Sequence, residues 1–247
     1  MNVLITGTTS GIGKCLANDL LKKNFFIIHV NRGSRFELCS SSEKEIFIKA
    51  NIISLKDIEL LLKKLIKIDK IPEYFYLNAG VNLPDINSKL EICTFQENFN
   101  INFYGSLNFI SSSQKLKLLN KTFILFSSTS NIVPNPCHFG YFLSKYGLFK
   151  ATSFLSASDK DNIYKCIILG PINTNISRNF KPPQGFQKFI FKLLIVEPDK
   201  CVKKIIEFSL TKKKFLFYPL KAIFIYYIAK FFIKLFPKAY NPSNRSE

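Results

Sequence analysis

Short apolar runs alternate along the chain with segments in which apolar residues recur every three or four positions. The apolar runs predict buried strands at 1–5, 25–30, 45–50, 74–77, 122–126, 164–169 and 215–218. The periodic segments predict helices at 14–23, 54–65, 95–118, from about 141 to 156, and 197–210, whereas residues 81–93 resemble a loop. Strands that alternate with helices throughout predict an α/β fold with a parallel, doubly wound sheet.

Two of the predicted helices carry an apolar face that a core could bury. In the first helix this face consists of Cys15, Leu16, Leu20 and Leu21. In the second helix it consists of Leu55, Ile58, Leu61, Leu62 and Leu65. Ser54 precedes the second face directly and is predicted to cap that helix, because a serine hydroxyl accepts a hydrogen bond from a first-turn amide.

A glycine-rich turn joins the first strand to the first helix, with glycines at positions 7, 11 and 13. Glycine permits a tight turn and a close approach of the backbone to a ligand, and the amino end of a helix attracts phosphate. The spacing G-x-x-x-G-x-G differs from the commoner dinucleotide fingerprint G-x-G-x-x-G. A plain βα turn is the alternative, but three glycines in this context favour a cradle for a pyrophosphate.

The residues after the second strand bear on the choice of cofactor. An acidic residue in this region ordinarily holds the adenosine ribose of NAD. This chain has Asn31 and Arg32 there, with Arg35 nearby. A guanidinium can pair with the 2′-phosphate of NADP, so the sequence favours NADP, although a solvated surface arginine is the alternative.

A tyrosine and a lysine form the centre of the candidate chemistry. Tyr141 and Lys145 are four residues apart, so a helix places both side chains on one face. A neighbouring cation favours the phenolate and lowers the pKa of a tyrosine from about 10. Ser128 follows the fifth predicted strand, and ligands of open α/β sheets bind at the carboxyl ends of strands. Taken alone, the Tyr-x-x-x-Lys spacing is more often an ordinary surface pair.

The 247 residues carry a net charge of +18, from 35 Lys/Arg and 17 Asp/Glu. A balance this basic is compatible with nucleic acid or anionic lipid as a partner. The alternative is a composition bias, because 31 of the 35 basic residues are lysines spread along the chain. With little arginine to read bases or clamp phosphates, we predict no nucleic-acid partner.

Four sequence elements have the order and spacing of a known enzyme superfamily. They are T-G-x-x-x-G-x-G at 6–13, N-A-G at 78–80, Asn102, and Ser128 with Tyr141-x-x-x-Lys145. Together they resemble the short-chain dehydrogenase/reductase superfamily over roughly residues 1–210, and the glycine spacing matches its shorter, oxidoreductase-type subgroup. The resemblance implies a single Rossmann-like domain over residues 1–219, with a mostly parallel sheet and helices on both faces. An aromatic, basic extension would follow over residues 220–247.

The resemblance also implies a role for each residue. Tyr141 would be the general acid/base, Lys145 would lower its pKa and bind the nicotinamide ribose, and Ser128 would hold the substrate oxygen. Asn102 would support a water relay to Lys145. Hydride would move between NADP, or alternatively NAD, and a carbonyl or alcohol carbon. Besides Tyr141 and Lys145, the implied cofactor contacts are Gly7, Thr9, Ser10, Gly11, Ile12, Gly13, Asn31, Arg32, Asn51, Ile52, Asn78, Ala79, Gly80, Pro171, Ile172 and Thr174.

Three positions depart from the family pattern and bear on cofactor affinity. Leu77 stands where many members have a second asparagine before N-A-G. Asn51 replaces the aspartate that usually approaches adenine, although an amide can still form a hydrogen bond there. Leu169-Gly170, with Pro171 next, replaces the usual Pro-Gly pair. None of these departures touches the proton chemistry.

The last quarter of the chain diverges from the family. The resemblance implies a substrate lid at about 178–196. The phenylalanine-rich sequence of this segment predicts an apolar substrate unless the segment packs on the core. Residues 181–247 hold 14 Lys/Arg and 4 Asp/Glu, and Lys230, Lys234 and Lys238 recur every four residues. No charge-free run in 220–236 approaches the ~20 residues of a membrane span. A peripheral contact of 220–240 with anionic lipid, a subunit interface and a cover over the substrate mouth are the three interpretations.

Six scattered cysteines and two histidines show no metal-ligand spacing, so we predict no metal site. They are consistent with a reduced, cytoplasmic chain, with membrane association if the tail binds lipid. No signal peptide is visible.

From the motifs and the resemblance together, we predict an NAD(P)-dependent oxidoreductase that acts on CH–OH/C=O groups of a small apolar molecule, in a homo-oligomer. The alternative is a non-catalytic dinucleotide-binding regulator on the same fold.

Overall fold

The computed structural model describes residues 1–85, 89–129, 138–174 and 194–221, together with Phe224 and Ile228. Within this part of the chain, eight strands form one sheet. The strands are β1 (Asn2–Thr6), β2 (Phe26–Arg32), β3 (Glu37–Ser41), β4 (Glu45–Ala50), β5 (Tyr74–Leu77), β6 (Thr122–Ser128), β7 (Ile163–Leu169) and β8 (Phe215–Tyr218). The helices are α1 (Gly11–Lys22), α2 (Leu55–Lys67), α3 (Ile92–Phe99), α4 (Gly105–Lys115), α5 (Phe139–Ser158) and α6 (Pro198–Ser209).

The sheet confirms the predicted α/β class with a mostly parallel, doubly wound arrangement. Its strand order is β3-β4-β2-β1-β5-β6-β7-β8, and each neighbouring pair is parallel except β3 with β4. The chain winds outward from β1 to one edge and then returns to β5 on the other side of β1. Such a reversal opens a crevice at the carboxyl ends of the strands, where ligands of this fold class bind.

Helices pack on both faces of the sheet. On one face α2 and α4 cover the core through Ile58, Leu61, Leu62, Leu65 and Phe109. On the other face α1 and α6 cover it through Leu16, Leu20, Val202 and Ile205. The two helix faces that the sequence pattern predicted are thus largely confirmed. Leu55 is the exception, because it lies in the first turn of α2 and is 42% exposed.

The start of α2 follows the predicted capping interaction. The Ser54 side chain accepts a hydrogen bond from the backbone N–H of Asp57 at 3.3 Å. The Ser54 hydroxyl also donates to the Asp57 carboxylate at 3.2 Å. These bonds satisfy a first-turn amide and fix the point at which the chain leaves β4.

The connection from β2 to β4 contains a strand that the sequence pattern did not predict. β3 pairs antiparallel with β4 at the edge of the sheet, and all five of its residues are exposed. A strand exposed on both faces has no apolar alternation, so the hydrophobic pattern could not indicate it. The alternation of strands and helices therefore fails at this one connection.

The helix predicted over 95–118 is also interrupted. It begins earlier, at Ile92, inside the segment predicted as a loop, and α4 ends at Lys115. Residues Asn100–Tyr104 form a π-helical turn between α3 and α4. Such turns within α-helices are frequent at functional sites. This one contains Asn102, whose side chain is fully buried.

The predicted lid lies outside the described residues except for 194–196, and so does most of the predicted C-terminal extension. Among the residues that the structure describes, none of the helices has the length and apolar character that crossing a bilayer requires.

Candidate active site and cofactor cleft

The carboxyl ends of β1, β2, β4 and β5 open into a cleft of ≈ 800 Å³. It is lined by thirteen of the predicted cofactor residues: Gly7, Thr9, Ser10, Gly11, Ile12, Asn31, Arg32, Asn51, Ile52, Asn78, Ala79, Gly80 and Thr174. Gly13, Pro171 and Ile172 do not belong to this lining, and neither do Tyr141 and Lys145. Further lining residues that the sequence analysis missed include Cys39, Phe47, Lys49, Glu97 and Ile101. They come from β3, β4 and the α3 region, and no motif connects them.

The glycine turn is packed so closely that its glycine positions leave little or no room for a side chain. Gly7 has a φ of +75°, which L-residues with a side chain rarely adopt. A Cβ added at Gly13 would lie 2.1 Å from the Gly7 carbonyl oxygen and 2.7 Å from Asn78 Nδ2. Asn78 Nδ2 donates hydrogen bonds to the carbonyls of Thr6 at 3.1 Å and Gly7 at 3.3 Å. The N-A-G segment after β5 therefore holds the turn after β1.

The amino end of α1 provides the chemistry that a pyrophosphate requires. The helix begins at Gly11, its N-cap Ser10 forms no side-chain capping bond, and its first turn holds no acidic residue. Backbone amides of a first helical turn have no partner within the helix, and the helix dipole favours an anion there. Thr174 reaches the same turn, since a Cβ at Gly11 would lie 3.2 Å from Thr174 Cγ2. The described residues thus fit a dinucleotide phosphate.

A polar network ties the glycine turn to β2 and β4. Asn31 Oδ1 accepts hydrogen bonds from the Thr8 backbone N–H at 2.8 Å and from the Thr8 hydroxyl at 3.2 Å. Buried His29 bonds Thr8 Oγ1 at 3.0 Å through Nδ1 and the Glu45 carboxylate at 3.1 Å through Nε2. Burial lowers the pKa of His29, and the hydrogen bond to Glu45 opposes that effect. The amide oxygen of Asn31 is therefore engaged in shaping the turn.

Asn51 closes the turn that leads from β4 to α2. Its side-chain oxygen accepts a hydrogen bond from the Ile53 backbone N–H at 3.2 Å, and its own backbone N–H donates to the Asp57 carboxylate at 3.2 Å. The residue lines the cleft beside Ile52. Its amide nitrogen, rather than its oxygen, is the group that these two bonds leave for a ligand.

Lys145 is a buried cation held by the end of β6. The residue is 6% exposed, and Nζ donates a hydrogen bond to the Phe126 carbonyl at 2.9 Å. The Ser127 hydroxyl donates to the Lys145 carbonyl at 2.8 Å, so β6 contacts both the ammonium and the backbone of this lysine. Burial lowers the pKa of Lys145 from 10.5 to about 8, because desolvation disfavours the ammonium. Ser127 was not among the predicted site residues.

Asn102 joins three segments around Lys145. Its Oδ1 accepts from the Val81 backbone N–H at 2.8 Å, and its Nδ2 donates to the Val81 carbonyl and to Ser144 Oγ, both at 2.9 Å. A Cβ added at Gly80 would lie 2.8 Å from Asn102 Oδ1 and 3.3 Å from Lys145 Nζ. The amide of Asn102 therefore acts as a positioning group, which clamps the chain after β5 against α5.

The structure brings the predicted proton-handling residues to the same end of the sheet. Tyr141 is 7% exposed, and Lys145 Nζ lies 5.8 Å from the centroid of its ring. Ser144 Oγ donates to the Tyr141 carbonyl at 2.8 Å, which links Tyr141 to Asn102 through one hydroxyl. Ser128 is the last residue of β6, two positions after the carbonyl that holds Lys145.

The loop after β5 is anchored to the start of α5 by groups that carry no recognisable motif. The Asp85 carboxylate accepts a hydrogen bond from the Phe139 backbone N–H at 3.0 Å. Buried His138 bonds Asn82 Oδ1 through Nδ1 at 2.8 Å. Burial lowers the pKa of His138, and the nearby Asp85 charge opposes that effect. These contacts fix the first turn of the helix that carries Tyr141.

A model of the short chain dehydrogenase family matches residues 1–185. The chain belongs to this family. The predicted superfamily and the predicted oxidoreductase class are thereby confirmed.

Three solved structures share the fold of this chain. One is a short chain dehydrogenase family protein from Francisella tularensis, with 22% identity, a TM-score of 0.69, and coverage of 88% of this chain and 96% of that chain. Another is a short chain dehydrogenase from Burkholderia cenocepacia in complex with NADP, with 18% identity, a TM-score of 0.74 and coverage of 97% of both chains. A third is a short chain dehydrogenase/reductase from Burkholderia phymatum in complex with NAD, with 11% identity, a TM-score of 0.75, and coverage of 95% and 94%. At these identities the three neighbours show that this chain has the same fold.

Proposed function

We propose that this oxidoreductase transfers a hydride between NADP and a carbonyl or alcohol carbon of a small apolar molecule, with Tyr141 as the general acid/base. The proposal is based on the buried ammonium of Lys145. This group lies one helical turn from Tyr141, at the end of the strand whose last residue is Ser128. A lysine with 6% exposure is costly to fold. A catalytic use of the charge accounts for that cost.

In the direction of reduction, Tyr141 gives its phenolic proton to the substrate oxygen while Ser128 donates a hydrogen bond to the same atom. The bound cofactor supplies the hydride. The Lys145 ammonium stabilises the phenolate that Tyr141 leaves behind, because opposite charges attract strongly where water is excluded. Asn102 and Ser144 keep α5 in register with the chain after β5, so that these groups stay aligned.

The preference for NADP rests on Arg32 and on the absence of an acid at position 31. Arg32 lines the cleft at the end of β2, and the oxygen of Asn31 is engaged with Thr8. A carboxylate that would grip the ribose hydroxyls of NAD is thus missing from position 31. One charge-assisted contact to a 2′-phosphate is worth about 1.5–3 kcal/mol, roughly ten-fold or more in affinity.

Replacement of the phenol tests the proposal. Tyr141→Phe should abolish turnover with NADPH while the affinity for NADPH, measured by fluorescence titration, stays within a few-fold of wild type. Tyr146→Phe is the matched control, because Tyr146 lies on the same helix and is 39% exposed. Near-wild-type turnover in Tyr141→Phe would exclude the mechanism.

A turnover screen of the wild-type chain with NADPH identifies the substrate class. Ketones, aldehydes and 3-oxoacyl thioesters of increasing chain length should show a preference for the apolar members. A chain that binds NADPH but turns over no carbonyl compound would instead be the non-catalytic dinucleotide-binding regulator.

We propose further that the C-terminal extension contacts a lipid surface. Leu220, Phe224 and Ile228, four residues apart, are helical and 74%, 68% and 41% exposed. The following sequence contains Lys230, Lys234 and Lys238. Apolar side chains next to spaced lysines suit the surface of an anionic membrane. We also propose that the chain consists of a domain over 1–219 and an extension over 220–247, and that the protein forms a homo-oligomer.

A further inference from the structure

The connection between β2 and β4 leaves part of the sheet uncovered at the cleft. Parallel neighbours are ordinarily joined by a crossover helix that covers one face of the sheet. Residues 33–44, all of which the structure describes, contain β3 and no helix. Because β3 pairs beside β4 at the edge of the sheet, it extends the sheet and does not cover a face of it as a crossover helix would. Phe47 and Lys49 of β4 consequently line the cleft, and Lys49 is exposed.

Lys49 lies at the same end of the cleft as Arg32. In the parallel register of β2 and β4, Lys49 is the partner of Asn31, and Ala50 is the partner of Arg32. The backbone after Arg32 passes directly over Lys49, since a Cβ added at Gly33 would lie 2.8 Å from Lys49 Cβ. Side chains alternate between the faces of a strand, so Lys49 and Arg32 approach this end of the cleft from opposite faces.

The two cations are not engaged with carboxylates in the described part of the chain. The ion pairs found there are formed by His29, Lys115 and Lys204. The nearest acidic neighbour in the strand register is Glu37, the partner of Lys49 on β3, and no ion pair joins the two residues. Lys49 can therefore direct its charge into the cleft.

We propose that Lys49 is a second cation for the adenosine 2′-phosphate and that, with Arg32, it determines the preference for NADP over NAD. This inference rests on the NADP preference proposed above. A phosphate monoester carries close to two negative charges, so cations on opposite sides of it each contribute a charge-assisted contact. NADP and NAD differ only at the 2′ position of the adenosine ribose. The two cations should therefore affect the binding of NADP and have little effect on the binding of NAD.

Charge removal at constant length tests the inference. Lys49→Gln should weaken NADPH binding by roughly ten-fold and change NADH binding by less than about two-fold. Lys44→Gln is the matched control, because Lys44 is an exposed lysine in the turn before the same strand and does not line the cleft. The control should bind both cofactors as wild type does. Titrations at two salt concentrations should also show a shallower salt dependence for NADPH in Lys49→Gln, because one screened contact is gone.

The outcomes separate this inference from the cofactor choice on which it rests. A wild-type protein that binds NADH at least as tightly as NADPH overturns the NADP preference and the role of Lys49 together. If wild type prefers NADPH and the preference survives Lys49→Gln but falls in Arg32→Gln, the role of Lys49 alone is wrong. A preference that falls with either variant, and falls further in the double variant, supports the two-cation site.

Discussion

At the glycine-loop end of the site, backbone groups and small residues line the cleft, whereas at the end near Tyr141 and Lys145, outside the cleft lining, polar side chains are buried. The loop end leaves no room for a side chain at Gly13, because a Cβ there would lie 2.1 Å from the Gly7 carbonyl oxygen. Its charged groups, Arg32 and Lys49, are exposed. At the other end, Lys145 and Asn102 are 6% and 0% exposed, and their polar groups bond to neighbouring segments.

The two ends should therefore respond differently to substitution. At the loop end, recognition depends on shape and on charges that salt screens, so substitutions there should change cofactor affinity first. At the end near Tyr141 and Lys145 most polar groups are buried, so under the proposed mechanism substitutions there should change turnover first. Variants that change affinity without turnover, or turnover without affinity, therefore test whether the two ends have these separate roles.

After the loss of turnover expected in Tyr141→Phe, the largest effect is expected from removal of the buried charge. Lys145→Met should lower turnover by about 100-fold or more, the scale of a lost acid–base system. Its free energy of unfolding at pH 7 should stay within about 1 kcal/mol of wild type, because relief from burying a cation offsets the lost bond to the Phe126 carbonyl. Steady-state kinetics and chemical denaturation provide the two measurements. A strongly destabilised variant would mean that the lysine is a structural element.

A side chain at the glycine turn should act on affinity. Gly13→Ala should weaken NADPH binding at least ten-fold, because its Cβ collides with the Gly7 carbonyl and displaces the turn. Lys14→Ala, at the next position of the same helix, is the control and should bind NADPH as wild type does. Isothermal titration measures both affinities. Unchanged binding in Gly13→Ala would mean that the turn does not cradle the cofactor.

The pH dependence of stability should reveal the desolvated lysine. The unfolded chain holds this proton up to about pH 10.5, whereas burial lowers the pKa of Lys145 in the folded chain to about 8. Between these values the unfolded state binds more protons, so the contribution of Lys145 to the free energy of unfolding rises with pH, by about 3 kcal/mol in full.

Buried thiols act in the opposite direction, because burial raises the pKa of Cys166 and of Cys201 to about 12. The difference between wild type and Lys145→Met isolates the lysine, and it should increase in favour of wild type between pH 7 and pH 10. A difference that does not vary with pH would show that Lys145 titrates normally.

The smallest effect on the cleft is expected from removal of the extension. A chain that ends at Pro219 should keep the NADPH affinity and the turnover of the full chain, since the described cleft residues and the Tyr141/Lys145 pair all precede that residue. Sedimentation with anionic vesicles should be lost on truncation, and sedimentation of the full chain should fall as salt rises. If truncation instead abolishes turnover or the oligomeric state, the extension covers the substrate mouth or a subunit interface.

Much of the fold and most of the candidate site could be predicted from residue patterns. Buried strands such as β6 and β7 are continuous apolar runs, and α2 shows its apolar face and its Ser54 cap directly in the sequence. The glycine turn and the Tyr141/Lys145 pair are local motifs whose spacing is fixed by a turn and a helix. The π turn at Asn102 was not predictable, because it depends on an amide that bonds across to Val81 and Ser144.

The sequence by itself determined the family, the α/β class and the residues of the local motifs, because periodicity and spacing act over a few residues. Only the tertiary structure decided what those residues face. β3 has no apolar alternation, so the sequence pattern does not indicate that it pairs with β4. Because β3 takes that position at the sheet edge, Lys49 lines the cleft and is exposed. Likewise, Lys145 is one of many lysines in the sequence. Its desolvation arises where α5 packs on β6 and brings the ammonium against the Phe126 carbonyl, since burial is a property of packing between distant segments.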